Sequence, residues 1–142
     1  MDLGLKGRTA IVCGASSGMG LAIAERLAAE GTNVAMLGRR RDLLSREAER
    51  IGALAVQGDL TIPAHLDRLV SATLAAFGAI DVLVLNGGGP PPGAAVDVTP
   101  HAIEEAVALL LTPFVDLTAR CLPHLEASGR GRREIDADGL LV

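Results

Sequence analysis

The 142-residue sequence contains no tyrosine and no tryptophan, and it has only two phenylalanines and a single lysine, Lys6. Catalysis by a phenol is therefore excluded within these residues, and catalysis by a lysine amine would have to use Lys6. With 17 acidic and 13 basic side chains, the net charge of −4 gives no dense basic face. Nucleic acid is accordingly not an expected partner.

Cysteine is scarce as well, since Cys13 and Cys121 form neither a C-x-x-C motif nor the spacing of metal ligands. Such a pair is typical of buried thiols in a reducing compartment, so we expect no disulfide and a cytoplasmic location. The N-terminus lacks an apolar stretch behind a basic leader, and no uninterrupted apolar run approaches the roughly 18 residues of a membrane helix. We therefore expect no membrane partner.

Patterns typical of strands and helices alternate four times along the chain. Short apolar runs predict strands at 8–13, 33–37, 53–57 and 80–85, and helical spacing predicts helices at 18–30, 40–51, 62–77 and 100–126. The last helix is long, and we expect a bend near Pro113. This alternation predicts an α/β fold, a doubly wound parallel sheet of strand order 3-2-1-4 that ends in a long C-terminal helix.

The first strand-to-helix connection carries glycines in the spacing G-x-x-x-G-x-G, at Gly14, Gly18 and Gly20. Glycine is needed where the backbone takes positive φ or approaches a ligand closely, and the following helix N-terminus attracts phosphate. The pattern indicates a dinucleotide-binding turn, and the alternative is a tight turn without a ligand. The chain has no G-x-x-x-x-G-K-[ST] motif, which argues against a nucleoside triphosphatase.

Three segments together resemble the short-chain dehydrogenase/reductase family: 14–20, Gly58-Asp59-Leu60, and 83–88 with the sequence LVLNGG. The Gly/Pro loop that follows is most similar to the divergent 3-oxoacyl carrier-protein reductase-like branch. The resemblance extends over about 5–126 and matches the N-terminal half of a typical member. It implies a truncated Rossmann-like fold and, for the family, hydride transfer between NADP(H) or NAD(H) and a carbonyl or alcohol substrate.

The resemblance also implies a set of cofactor-binding residues. The turn residues are Gly14, Ser16, Ser17, Gly18, Met19 and Gly20. Asp59 is expected at the adenine amino group, with Leu60 beside it. The segment expected near the ribose is Asn86, Gly87 and Gly88. On this basis 1–127 is a partial dinucleotide-binding domain, and 128–142 is an atypical tail.

The end of the second strand bears on the choice of cofactor. An acidic residue there would bind a ribose 2′-hydroxyl, but this chain has Gly38 followed by Arg39, Arg40 and Arg41. Because arginine suits phosphate, NADP(H) is favoured over NAD(H), with Arg39 and Arg40 as the candidate contacts. For Arg41, a solvated helix start is the better interpretation.

The family's catalytic positions are not matched. Tyrosine is absent, Lys6 precedes the first strand, Leu109 stands where the family has an asparagine, and the tail replaces the fifth strand with its serine. We therefore assign no catalytic residue. Two alternatives to a reductase half remain, a non-catalytic module that binds a nucleotide or a protein, and a truncated product without independent function.

Weaker candidates lie on the predicted helices. A metal site at His101, Glu104 and Glu105 is disfavoured, because acids in a first helical turn normally complement the helix dipole. His65 and His124 are expected at the surface or at helix ends. With no clear fifth strand, an exposed edge at strand four, or the long helix, could pair with a second copy of the chain.

Overall fold

The computed structural model of the chain describes residues 3–89 and 92–129. Four parallel strands form a sheet of order β3-β2-β1-β4: β1 is Thr9–Val12, β2 is Asn33–Gly38, β3 is Leu54–Gln57 and β4 is Val82–Val84. In register, Ala10 of β1 is flanked by Val34 and Val82. All four residues of β1 are buried, as expected for a central parallel strand covered on both faces. The predicted fold class and strand order are confirmed.

Over the described residues, five α-helices follow or separate the strands, and α1 to α3 fall where the sequence predicts them. They are α1 (Gly18–Ala29), α2 (Arg41–Ile51), α3 (Pro63–Phe77), α4 (Pro100–Leu110) and α5 (Thr112–Ala127), with a short 3₁₀ helix at Ala95–Asp97. On one sheet face, Val12 and Met36 pack with Ala24 of α1 and Leu44 of α2. Side chains alternate along a strand, so Ile11 lies in the core on the opposite face with α3 and α5.

The C-terminal helix consists of two segments that meet at Leu111. Pro113 occupies the first turn of α5, where its missing N–H costs least, so the break accompanies the proline as predicted. α5 buries Leu117 and Cys121 in the core, whereas α4 contains no fully buried residue and leaves Ile103 and Val107 exposed. Pairing of this helix, or of the half-buried β4, with a second chain stays a prediction.

By length and composition alone, one helical stretch of the described residues could cross a membrane, which the absence of a long uninterrupted apolar run did not predict, and the expectation of no membrane partner stays a prediction. The stretch Pro100–Ala127 is 28 residues long, and its most apolar window has a mean hydropathy of 1.4 with 17% of that window buried. The prediction counted only uninterrupted apolar runs and overlooked a long helix with scattered charges. In the described fold, however, α5 packs on α3 and contributes to the core, as a helix of a globular domain does.

The two cysteines are free and buried, as predicted. Burial raises the pKa of Cys13 to about 12 and the pKa of Cys121 to about 11. Both groups are therefore thiols rather than reactive thiolates at neutral pH. The predicted atypical tail at 128–142 lies outside the described residues except for Ser128 and Gly129.

Candidate nucleotide-binding site

The carboxyl ends of the four strands bring the predicted site segments to one edge of the sheet. The turn after β1 is joined to β2 by the Ala15 amide, which donates to the Leu37 carbonyl at 3.0 Å. The Gly58 amide donates to the Gly38 carbonyl, also at 3.0 Å, and joins the segment after β3 to the end of β2. Ligands of open parallel sheets bind at this edge.

The glycine turn after β1 is shaped by two different requirements. Gly14 and Gly18 have φ of 59° and 58°, in the left-handed region that favours glycine. Gly20 has an ordinary φ, but a Cβ added to it would lie 2.3 Å from the Gly14 carbonyl oxygen and 2.7 Å from Asn86 Nδ2. The close approach of α1 to the turn therefore depends on the missing Cβ.

Asn86 fastens this turn to the segment that follows β4. Its Nδ2 donates to the Cys13 carbonyl at 3.3 Å. A Cβ on Gly14 would lie 2.8 Å from the same nitrogen, so the amide group packs directly against the turn. The sequence placed Asn86 at the site through the resemblance alone, and the structure adds this bracing contact.

The N-terminus of α1 opens onto the turn. Ser17 is the N-cap residue, yet its side chain makes no capping hydrogen bond to the amides of the first turn. Those amides and the positive end of the helix dipole are features that favour an anion. Met19, within this first turn, is 73% exposed.

Two arginines follow β2 beside the turn. Arg40 Nη2 donates to Ser17 Oγ at 2.6 Å and lies 3.4 Å from Ser16 Oγ. Arg39 is exposed, and its carbonyl accepts from Gln57 Nε2 at 3.4 Å. The contact between Arg40 and the two serines was not predicted, because it joins residues more than 20 positions apart.

The segment after β3 holds Asp59 in a folded loop. The amide and hydroxyl of Thr61 donate to Asp59 Oδ1 at 2.9 and 2.7 Å. These bonds hold the pKa of the Asp59 carboxyl below its ordinary value, and the charge of Arg39 acts in the same direction. The group is therefore a carboxylate, an acceptor only, at neutral pH.

His65 lies at the start of α3, as expected of a helix-end residue, and it also takes part in this loop. It is half-buried, and its Nδ1 accepts from the Asp59 amide at 2.9 Å. Its position in the first turn of α3, six residues after Asp59, was the available signal. Nothing in the local pattern indicated which way the imidazole would turn.

The two glycines after Asn86 differ in their surroundings. A Cβ on Gly87 would lie 3.1 Å from the Phe114 ring and 3.7 Å from Leu60 Cδ1, so this glycine joins α5 to the segment after β3. Gly88 is exposed and has no other group within 4 Å of its Cβ position. Gly87 and Leu60 thus border the same edge as the turn, and Gly88 follows Gly87 with open space around its Cβ position.

Comparison with known proteins completes this description. The family described as short chain dehydrogenase matches residues 8–132. The chain belongs to the short-chain dehydrogenase family. The predicted family resemblance is confirmed.

Relatives of this short-chain dehydrogenase chain act on different substrates. The present chain is 36% identical over 133 residues to the 2-(R)-hydroxypropyl-CoM dehydrogenase of Xanthobacter autotrophicus. The match covers 87% of this chain and 53% of that protein. L-Sorbose reductase from Gluconobacter frateurii, crystallised with NADPH and L-sorbose, has a TM-score of 0.84 and 29% identity, covering 99% of this chain and 57% of that one.

A third relative was solved with the other cofactor. The 3-ketoacyl-(acyl-carrier-protein) reductase from Brucella melitensis, complexed with NADH, has a TM-score of 0.80 and 34% identity, covering 88% of this chain and 53% of that one. The chain spans about half the length of the curated relatives it matches. Its relatives include proteins bound to NADPH and to NADH, so family membership alone does not decide between the two.

Metal ligation has no support in the geometry of this short-chain dehydrogenase chain. His101 Nε2 lies 3.4 Å from Glu105 Oε1 on the exposed side of α4. Over 3–89 and 92–129, no three His, Cys, Asp or Glu side chains are grouped so that they could hold a metal ion.

Proposed function

We propose that this chain binds NADP(H) in preference to NAD(H), as the cofactor-binding half of a short-chain reductase acting on a carbonyl or alcohol substrate. The observation that carries the proposal is the arginine pair beside the glycine turn, with Gly38 where an acid would select NAD(H). The bound cofactor would supply the hydride. The residues of this chain would bind and orient it.

The glycine turn fits a pyrophosphate. The space that a Cβ on Gly20 would fill lies between the turn and the start of α1, and a side chain there would push the two apart. The first-turn amides of α1 have no capping side chain from Ser17 and can donate to phosphate oxygens. Gly14, Ser16, Ser17, Gly18, Met19 and Gly20 would form this part of the site.

The arginines fit the 2′-phosphate that distinguishes NADP(H). Arg40 is fixed by the serine hydroxyls, so its charge is held beside the turn at small entropic cost. Arg39 is exposed at the end of β2, where its guanidinium can pair with a phosphate. An acid at position 38 would repel that phosphate, and the chain has glycine instead.

The remaining site residues fit the adenosine and its ribose. The ionised Asp59 carboxyl can accept from the adenine amino group, with Leu60 beside it. Asn86, Gly87 and Gly88 would lie along the ribose on the opposite side, where the small glycines permit close approach.

Arg39→Ala tests the proposed preference. The wild-type chain should bind NADPH more tightly than NADH, and the substitution should weaken NADPH binding about tenfold through loss of a charge-assisted contact. NADH affinity should stay unchanged, because NADH has no 2′-phosphate. Isothermal titration calorimetry with both cofactors measures all four affinities.

Arg46→Ala is the matched control for this test. Arg46 is also an exposed arginine of the region after β2, but it pairs with Glu47 on α2. Its removal lowers the net charge equally and should leave both affinities unchanged. Equal wild-type affinities for the two cofactors, or a tighter NADH complex, would contradict the proposal.

The 142-residue chain by itself should show no reductase turnover, because it has no tyrosine to protonate a carbonyl oxygen and Leu109 replaces the expected asparagine. Purified chain is mixed with NADPH and a panel of ketones, and NADPH absorbance is followed. Binding without turnover would favour a nucleotide-binding module as the function of the isolated chain. Carbonyl-dependent loss of absorbance would require an acid other than tyrosine.

A further inference from the structure

We propose that His65 is a positioning residue for the adenine subsite, holding the backbone of Asp59 so that its carboxylate is presented to the adenine amino group. The inference rests on the proposed function. His65 touches no cofactor atom in this scheme and acts only through Asp59.

Asp59 is held at both ends. Its backbone amide donates to His65 Nδ1 at 2.9 Å. Its side-chain Oδ1 accepts hydrogen bonds from both the amide and the hydroxyl of Thr61. Within the described ranges, Oδ2 accepts no hydrogen bond from the protein. One carboxylate oxygen is thus committed to the loop, and the other is available to a ligand.

α3 begins without a side-chain cap. Ile62 is the N-cap residue of α3, and it has no side chain that can accept from a backbone amide. His65, the third residue of the helix, reaches back to the Asp59 amide, much as the third residue of a capping box reaches back to the helix start. The ring thereby joins α3 to the end of β3.

The start of the His65 side chain is packed closely against the loop. A Cβ on Gly58 would lie 3.1 Å from His65 Cβ and 2.9 Å from Leu37 Cδ1, so the loop and the histidine are packed closely. The Ile62 amide donates to the Asp59 carbonyl, and the His65 amide donates to the Ile62 carbonyl. Because Nδ1 accepts a hydrogen bond from the Asp59 amide, the neutral ring carries its own proton on Nε2.

Three chains test the inference: wild type, His65→Ala and His65→Asn. Alanine removes the acceptor, whereas the asparagine oxygen can occupy nearly the place of Nδ1. The probes are NADPH and its hypoxanthine counterpart, in which an oxygen replaces the adenine amino group. His65→Ala should weaken NADPH binding about fivefold, the effect of one hydrogen bond, and should leave binding of the hypoxanthine probe unchanged. His65→Asn should restore the wild-type preference for adenine.

A merely structural role of His65 predicts a different pattern, in which His65→Ala weakens the binding of both probes equally. That result, or an unchanged affinity of His65→Ala for NADPH, would overturn the inference while the proposed function stands. Failure of the wild-type chain to bind NADPH would overturn the proposed function and the adenine role together.

Nuclear magnetic resonance examines the contact without any nucleotide. Nitrogen shifts should show the Nε2–H tautomer of His65, and the Asp59 amide should exchange with solvent faster in His65→Ala than in wild type or His65→Asn. An Nδ1–H tautomer would overturn the inference. If His65→Ala does not fold, the tautomer and the His65→Asn affinities still decide the matter.

Discussion

Gly20→Ala is expected to abolish NADPH binding, with a loss of more than about 100-fold, because the new methyl group meets backbone rather than a movable side chain. The added Cβ would lie 2.3 Å from the Gly14 carbonyl oxygen. To relieve this contact, α1 must move away from the turn, and its first amides then leave the position that a pyrophosphate requires. Calorimetric titration with NADPH measures the loss, and circular dichroism reports whether the fold is retained.

Two further variants separate this effect from a general cost of added methyl groups. Gly93→Ala is the matched control, because position 93 has open space and no positive φ, and it should bind NADPH as wild type does. In Gly20→Ala combined with Asn86→Ala, the clash with the Asn86 amide is gone but the clash with Gly14 remains. The double variant should bind no better than Gly20→Ala. Recovery of binding would place the obstruction at the side chain instead.

The strand order and the turn were predictable because their causes are local in sequence. The apolar run at 8–13 and the helix that begins at Gly18 are neighbouring segments, and right-handed crossovers leave few alternatives for the sheet. The glycine spacing predicted a turn that needs positive φ or close approach, and the structure assigns positive φ to Gly14 and a close approach of protein atoms to Gly20.

Side-chain contacts between distant segments could not be predicted in the same way. Arg40 was expected to face phosphate, yet its partners in the protein, the hydroxyls of Ser16 and Ser17, come from the preceding βα unit. The meeting depends on β1 and β2 being neighbours and on the length of the turn. A pattern of residue types in one segment contains neither piece of information.

His65 illustrates a third situation, in which the partner is near in sequence but the geometry is not repetitive. His65 lies only six positions after Asp59, but the segment 58–62 between β3 and α3 belongs to no regular element. Periodicity describes which face of α3 is buried, and it cannot describe a ring that reaches beyond the helix start. The membrane-spanning length and composition of the C-terminal helix were not predicted, although the helix was, since its apolar character is spread over many turns rather than concentrated in one run.

Introducing an acid at the end of β2, where this chain has Gly38, should produce the largest change in cofactor preference. Gly38→Asp should weaken NADPH binding about 100-fold, because at about 6 Å and an effective dielectric constant of about 20 one pair of like unit charges repels by about 3 kcal/mol. NADH should bind about threefold more tightly, since the new carboxylate can accept from the ribose 2′-hydroxyl. Titration of each cofactor into the variant measures the reversal.

Gly38→Asn distinguishes charge from crowding in this experiment. A Cβ at position 38 would lie 3.2 Å from both Leu44 Cδ1 and Ser16 Cβ, so either substitution requires its neighbours to yield by a few tenths of an ångström. Asparagine imposes that crowding without the charge, and it should weaken NADPH binding only about threefold. If Gly38→Asn weakened NADPH as much as Gly38→Asp, the loss would come from displacement of Ser16, and the electrostatic account of cofactor choice would be wrong.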